Sequence, residues 1–412
     1  MCLILKQIPM RKLNLLLAIL LISFSVFSQN IVQWRGENRD GIYNETGLLQ
    51  EWPANGPELL WHYDELGDGH SSAAVTSDKI FTCGTKDGNG FVVALNHNGE
   101  TLWKTEYGKE WVESWDGVRT TPLINGDKLY QMSAYGVIHC LNRNTGELIW
   151  QVDVLNEYGG INIKWGMTEN LVIHNDKVYC TVGGPEHNVI ALNKDNGKLI
   201  WSSKGNSEIS AYCSPTVIKH NNKYILVTQT ANSILGIDAD TGTLLWRQEW
   251  TNQYSVHANT PLYHNGQIYI VSGYGKGGIM LKLSEDGKSV TELWRNADIN
   301  HKSGGFVLVD GKLYGAVDRG NEWHCIDWNT GKTMYSANIF KSGNIIYADG
   351  RLYCYSESGE IALLDPQENN FKSVGKFDVP YGEKHHWAHL VIHDKKLYVR
   401  HGSSLMVYSI AN

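Results

Sequence analysis

Cationic and aromatic side chains recur at two adjacent positions of a repeating pattern. Aligned on the proline of Thr-Pro-Leu (Pro122, Pro261) or its counterpart, the residues three positions earlier are His70, Arg119, Thr168, Tyr212, Ala258, Ser303, Ser342 and Trp387. One position earlier again stand Gly69, Val118, Met167, Ala211, His257, Lys302, Lys341 and His386. Trp111, Trp115 and Trp165 lie close by in the same segments. Guanidinium and ammonium groups bind carboxylates, sulfates and phosphates through charge-assisted hydrogen bonds. Flat rings beside them hold the faces of a sugar or of a planar acid. The candidate ligand-binding set is therefore Arg119, Lys302, Lys341, His70, Tyr212, Trp115, Trp165 and Trp387. Its expected partner is an anionic small molecule: a sugar bearing carboxylate or sulfate, or a planar tricarboxylate.

Histidines and acids in the same segments offer a second chemistry. His257, His386, Glu169 and Asp116 are candidates for general acid or base work, which needs a titratable group within hydrogen-bond reach of a substrate. His386 and His389 are the candidates for holding a metal. The plain alternative is hydrogen-bonded loop histidines, and the chain has neither His-x-His nor His-Glu-x-x-His. His174, His220, His264 and His393 share one turn position of the repeat on the other face, which marks them as structural. The stretch Gly273 to Gly278 lacks the following helix that a phosphate cradle uses. It reads as a hairpin loop on the side of the cationic segments, from which Lys276 could reach a ligand. No Gly-x-Ser-x-Gly elbow occurs.

What must position these side chains is a repeat. Lys-Leu-Tyr or a close variant begins at Lys79, Lys128, Lys177, Lys223, Gln267, Lys312, Arg351 and Lys396. A period of roughly 45 residues with four short strand-like runs per unit is the signature of a β-propeller blade. Residues 117–153 show the unit. A small-residue run turns at Asn125-Gly126, and the second strand turns at Tyr135-Gly136. The third, from Val137 to Asn142, alternates apolar and polar, and Thr145-Gly146 leads into a fourth ending at Trp150. Gly at such turns supplies positive φ at no steric cost. Trp61, Trp103, Trp150, Trp201, Trp246 and Trp294 repeat this last position, Tyr335 replaces it once, and the unit near Val374 lacks it. These rings are expected to pack between neighbouring sheets rather than to bind ligand.

The ends are out of phase. Residues 393–412 supply inner strands with no Leu-x-Trp strand, and residues 58–64 supply that strand with nothing before it. Pairing them closes a ring and removes two sheet edges. The expected fold is all-β: an eight-bladed propeller of four-stranded antiparallel blades over residues 58–412, with residues 29–57 as an extension over its outside or one face.

Residues 1–28 read as an export signal: Arg11 and Lys12 precede an apolar run from Leu13 to Phe27. No Cys follows that run, which argues against a lipid anchor. A periplasmic or secreted location is expected, with no membrane span in the mature chain. The net charge of −7 becomes more negative once Lys6, Arg11 and Lys12 leave with the signal. An acidic chain without a basic run makes a poor nucleic-acid binder. Against that background a local cationic cluster is informative. The cysteines fall at small strand positions and are expected to be buried thiols.

The segment Ile237-Asp238-Ala239-Asp240-Thr241-Gly242-Thr243-Leu244-Leu245-Trp246 resembles the pyrroloquinoline-quinone (PQQ)-type repeat. The opening Gln33-Trp34-Arg35-Gly36, with Glu45-Thr46-Gly47-Leu48-Leu49 after it, is similar to the leader of secreted PQQ-like propellers labelled after the outer-membrane assembly factor BamB. This resemblance implies the propeller fold. It also implies two functions beside the binding of an anionic ligand. One is a quinoprotein dehydrogenase using PQQ and calcium on alcohols or sugars, with Arg119 or Lys302 for cofactor carboxylates and Trp165 for stacking. The other is an envelope scaffold with a protein partner. A carbohydrate lyase or hydrolase using His257, His386 and Glu169 is a further enzyme variant. The chain has no adjacent-cysteine pair and no CxxCH, both features of some quinoprotein dehydrogenases.

Overall fold

A computed structural model describes residues 31–412; the expected export signal, residues 1–28, lies outside them. Eight sheets form the blades. Blades 1 to 7 span residues 74–109, 123–153, 172–203, 216–249, 262–296, 306–338 and 343–378, each with its strands in sequence order. Blade 8 combines residues 391–409 with strand β3 (Glu58–Tyr63), which pairs antiparallel with Ser404–Ser409. The ring is closed by the pairing of its two ends, as the sequence phase requires.

Five of the repeated tryptophans lock a blade to the next, while the indole N–H of Trp246 has no partner among the described residues. The indole N–H of Trp61, Trp103, Trp150, Trp201 and Trp294 donates to the carbonyl of His97, Arg143, Lys194, Ala239 and Trp328, at 2.9–3.2 Å. Each of these rings lies against the turn glycine of the following blade. A Cβ at Gly99, Gly146, Gly197, Gly242 or Gly331 would stand 2.4–2.8 Å from it. These glycines also sit at positive φ, so the position admits no side chain on either count. Tyr335 does the same work through its hydroxyl, which donates to Gln367 O at 2.8 Å.

Blade 7 explains its own missing tryptophan. Gly375 opposes Leu363 where Trp150 opposes Cys140 in blade 2. Over Gly375 lies Trp52 of the N-terminal extension. Its backbone N–H donates to Val374 O at 3.0 Å, and its ring meets Tyr353 and Phe377 edge-on. Gly56, two residues before β3, faces Phe377 as the other turn glycines face their tryptophans.

The extension departs from the expected placement over the outside or one face. Its first part runs through the central channel. Strand β1 (Ile31–Val32) pairs with the innermost strand of blade 2, and β2 (Ile42–Tyr43) pairs parallel with that of blade 7. Residues 33–41 cross between them. Arg35 donates to the carbonyls of Asp40, Phe306 and Ile345 and to His389 Nδ1, while Arg39 donates to those of Asn170 and Leu171. The leader thus ties together blades on opposite sides of the ring. Only residues 44–57 follow the face opposite the cationic loops, where Glu45 accepts from Asp394 and Lys395 N–H and Leu49 N–H donates to Ile410 O. No helix among the described residues is long and apolar enough to cross a membrane.

Candidate functional site

In a four-stranded blade, the loop leaving the outer strand and the hairpin joining the second and third strands fall on one face. On that face the loops surround a cavity of about 580 Å³. Arg119, Lys302, Lys341, His70, Tyr212, Trp115, Trp165 and Trp387 all line it. Trp34 of the leader lines both this cavity and a small void beneath it, so it is the floor that turns a channel into a cup. Buried asparagines fix the walls. Asn170 Oδ1 accepts from Thr121 N–H, Asn259 Oδ1 from Gly305 N–H, and Asn344 Nδ2 donates to Ala388 O, each joining two blades.

Side-chain alternation decides which loop residues reach the cup, because successive side chains of extended backbone point to opposite sides. Seven of the eight residues three before the aligned proline line it, all but Ser342. Two residues further on, Asn170, Ser214 and His389 line it too. From the position four before the proline, only the long Lys302 and Lys341 arrive.

That rule separates the expected acid–base and metal candidates from the cup. His257 has no exposed surface; its Nδ1 meets Ser272 Oγ and its Nε2 meets Ala231 O. His386 stacks on His401 with ring centres 3.6 Å apart, and its Nδ1 meets the Tyr355 hydroxyl at 2.7 Å. Glu169 is buried and accepts from Thr181 N–H, and burial pushes its carboxyl up to about 8. Asp116 pairs with Lys384 at 2.7 Å. None of these four lines the cup. His389 does, but Nε2 meets Ser303 O at 2.9 Å and Nδ1 takes the Arg35 guanidinium at 2.9 Å, so its lone pair is occupied. Among the described residues no three His, Cys, Asp or Glu side chains converge as a metal-binding group. Lys276 lies over the Trp250 ring, and from its hairpin Tyr274 lines the cup instead.

The cup's cations differ in how far they are neutralised. Lys302 is bonded to Glu357 at 2.6 Å and faces Asp318 at 3.4 Å. Burial favours the neutral form of Glu357, but His301 and Lys302 outweigh it and hold the carboxyl below its usual range. Arg119 donates to the carbonyls of Ser114 and Trp115 and lies 5.4 Å from the centre of the Trp111 ring. Burial lowers it to about 10, still charged at neutral pH. Among the described residues neither Arg119 nor Lys341 has a carboxylate within ion-pair distance.

The aromatic wall is continuous. His385 stacks on Trp387 at 4.3 Å and 11°, and Trp115 tilts against Trp387 at 5.4 Å. His70 adds its ring at 4.9 Å, with neither nitrogen hydrogen-bonded. Opposite stand Trp165, Tyr212, Tyr254 and Tyr274. Trp115, Tyr212 and Tyr274 have φ of 63°, 69° and 60°. Bulky side chains rarely occupy this left-handed region, and strain of roughly 1–3 kcal/mol per residue gathers where surrounding structure and function demand it.

Burial lowers the pKa of His257 and His301 to about 4, and that of His389 well below the ordinary value. An unfolded chain takes up these protons below about pH 6.5, while the folded state refuses them. Their contribution to stability is therefore complete above pH 6.5 and lost as the pH falls toward 4. Urea midpoints measured from pH 8 to pH 4 should fall steadily below pH 6.5, and a flat profile would contradict the buried neutral state.

Sequence spacing did not point to Trp34, Arg319, Glu357, Tyr254 or Tyr274 as cup residues. Arg319, Glu357 and Tyr274 come from second-to-third-strand hairpins, and alignment of those hairpins would have found them.

Comparison with known proteins agrees with this architecture. The family model described as outer membrane protein assembly factor BamB matches residues 88–334. BamB of Shewanella oneidensis is 30% identical over 192 residues, which cover 43% of this chain and 43% of that protein. A quinoprotein ethanol dehydrogenase of Pseudomonas putida is 29% identical over 123 residues, 28% of this chain and 18% of that protein. The matched stretches thus span less than half the length of these relatives. The crystal structure of BamB from Moraxella catarrhalis superimposes with a TM-score of 0.62 at 13% identity, covering 86% of this chain and 99% of that one, and so shares the fold. With the family match extending over more than half of its residues, the chain belongs to the PQQ-repeat propeller family described by BamB.

Proposed function

We propose that the protein is an exported propeller that holds an anionic ligand, an acidic carbohydrate foremost, in the mouth cup. The observation carrying this reading is that Arg119 and Lys341 face a 580 Å³ cavity without a carboxylate partner, in a chain of net charge −7. Cations left unpaired where acids are in excess favour an anion arriving from solution. The aromatic rings beside them supply flat surfaces for a sugar ring. A cavity of this size falls within the range of small-ligand sites, about 300–1,000 Å³.

Isothermal titration with uronate oligosaccharides and with the same sugars after reduction of their carboxyl groups tests the reading. Heat is expected from the acidic sugars alone, and it should weaken with added salt. Equal heats from both, or none from either, would overturn it.

The family match favours a second reading, an envelope scaffold. A pull-down from envelope extract should then recover a stable partner, and none would argue against it. A quinoprotein dehydrogenase needs calcium as well as PQQ. The cup's rings and cations suit a planar tricarboxylate, while no three His, Cys, Asp or Glu side chains converge as a metal-binding group among the described residues. The acids at hand, Glu357 and Asp318, are engaged by Lys302. Reconstitution with PQQ and calcium followed by dye reduction separates this enzyme from a binding protein.

A further inference from the structure

We infer that the cup takes a ligand anionic at both ends, an acidic oligosaccharide of at least two sugar units, bridged across the mouth between opposite walls. This rests on the anion-binding reading above and adds length and charge spacing to it.

Ring geometry carries the inference. Eight blades in a closed ring stand roughly 45° apart. Arg119 lies in the loop entering blade 2, and Lys341 in the loop entering blade 7. Arg319 sits in the second-to-third-strand hairpin of blade 6, four places round the ring from blade 2 and so directly opposite it. The third cation of that wall, Lys302, is already held by Glu357 and Asp318. What remains for a ligand is one cationic point on the blade 2 side and a second on the far side, made of Lys341 and the exposed Arg319, whose ion pair among the described residues is a long one, Nε to Asp318 at 3.9 Å.

The arcs between these points are aromatic. Trp387 and its stacked partner His385 lie on one arc, and Tyr212 and Tyr274 on the other. Ring faces therefore flank the path from one cation to the other. A single uronate carries one carboxylate and satisfies one wall at a time. Two linked acidic rings satisfy both, and the second contact forms intramolecularly at a high effective concentration. The exposed rings of Trp115 and Tyr254 stand at the lip, where a longer chain would leave the cup.

Titration of the full chain with mono-, di- and tri-uronates, each beside its carboxyl-reduced counterpart, tests this. The disaccharide should bind at least tenfold more tightly than the monosaccharide. Lys341→Ala combined with Arg319→Ala should remove most of that gain, bringing the disaccharide to within about threefold of the monosaccharide measured on the same variant. Arg319 is exposed with only a 3.9 Å contact to Asp318, and Lys341 makes no ion pair among the described residues, so the melting temperature of this variant should stay close to that of the wild type. Arg119→Ala should erase the same gain from the opposite wall. Mono- and disaccharide binding alike would overturn the two-ended ligand while leaving an anion-binding cup. Absence of binding by every acidic sugar would overturn both. PQQ also carries carboxylates on separate edges, so it serves as a competitor. PQQ binding without any oligosaccharide binding would overturn the carbohydrate assignment.

Discussion

Replacing Trp52 by Ala should cost about 3–5 kcal/mol, the range for removing a buried large aromatic ring. Unfolding entropy of roughly 2 cal/mol/K per residue converts this to a melting temperature lower by about 5 °C. Trp52 is 7% exposed, lies against Gly375 and meets Tyr353 and Phe377 edge-on. It stands where other blades use a tryptophan of their own. Its loss should open the seam between blades 7 and 8, which has no continuous chain through its outer strand. Amide exchange should therefore quicken first in residues 371–378 and 404–409. A change below 1 °C would show that the extension is decoration rather than part of the ring.

Arg35→Ala should have a comparable effect from the other end of the extension. The guanidinium is buried and donates to three carbonyls and to His389 Nδ1. Removing it leaves several buried acceptors without partners, at about 1–3 kcal/mol each where water cannot reach them. We expect a loss of about 3 kcal/mol. Arg35→Lys should recover only part, because an ammonium cannot reproduce the planar fork that spans blades 6, 7 and 8. The variant should also unseat Trp34, the floor of the cup, and so weaken ligand binding in proportion. Unchanged thermal and urea midpoints would mean that the leader does not bear on the ring.

The repeat was legible because each blade writes its own turns. Asn125-Gly126, Thr145-Gly146 and Trp150 sit at fixed offsets, and the unmatched strand at 58–64 announced closure by pairing with the last blade. The cup residues three before the aligned proline were legible for the same reason. His257 and His386 were not, because a one-residue offset in extended backbone sends a side chain into the seam between blades. Lys302 and Lys341 share that offset and reach the cup only by length. The path of residues 31–43 left no periodic trace, since β1 and β2 are two residues each. Arg35 and Arg39 find their partners among carbonyls far away in sequence, and carbonyl acceptors carry no residue signature. Trp52 was invisible for a related reason: its partner position holds a glycine, which records a vacancy but not what fills it.

The most direct test is a crystal structure of the protein soaked with an acidic disaccharide. Density should lie above Trp34, with one carboxylate at Arg119 and the other at Lys341 or Arg319, and with sugar faces against Trp387 or Tyr212. Ordered sugar elsewhere on the surface with an empty cup, at concentrations that saturate binding in solution, would contradict the assignment of the mouth as the binding site.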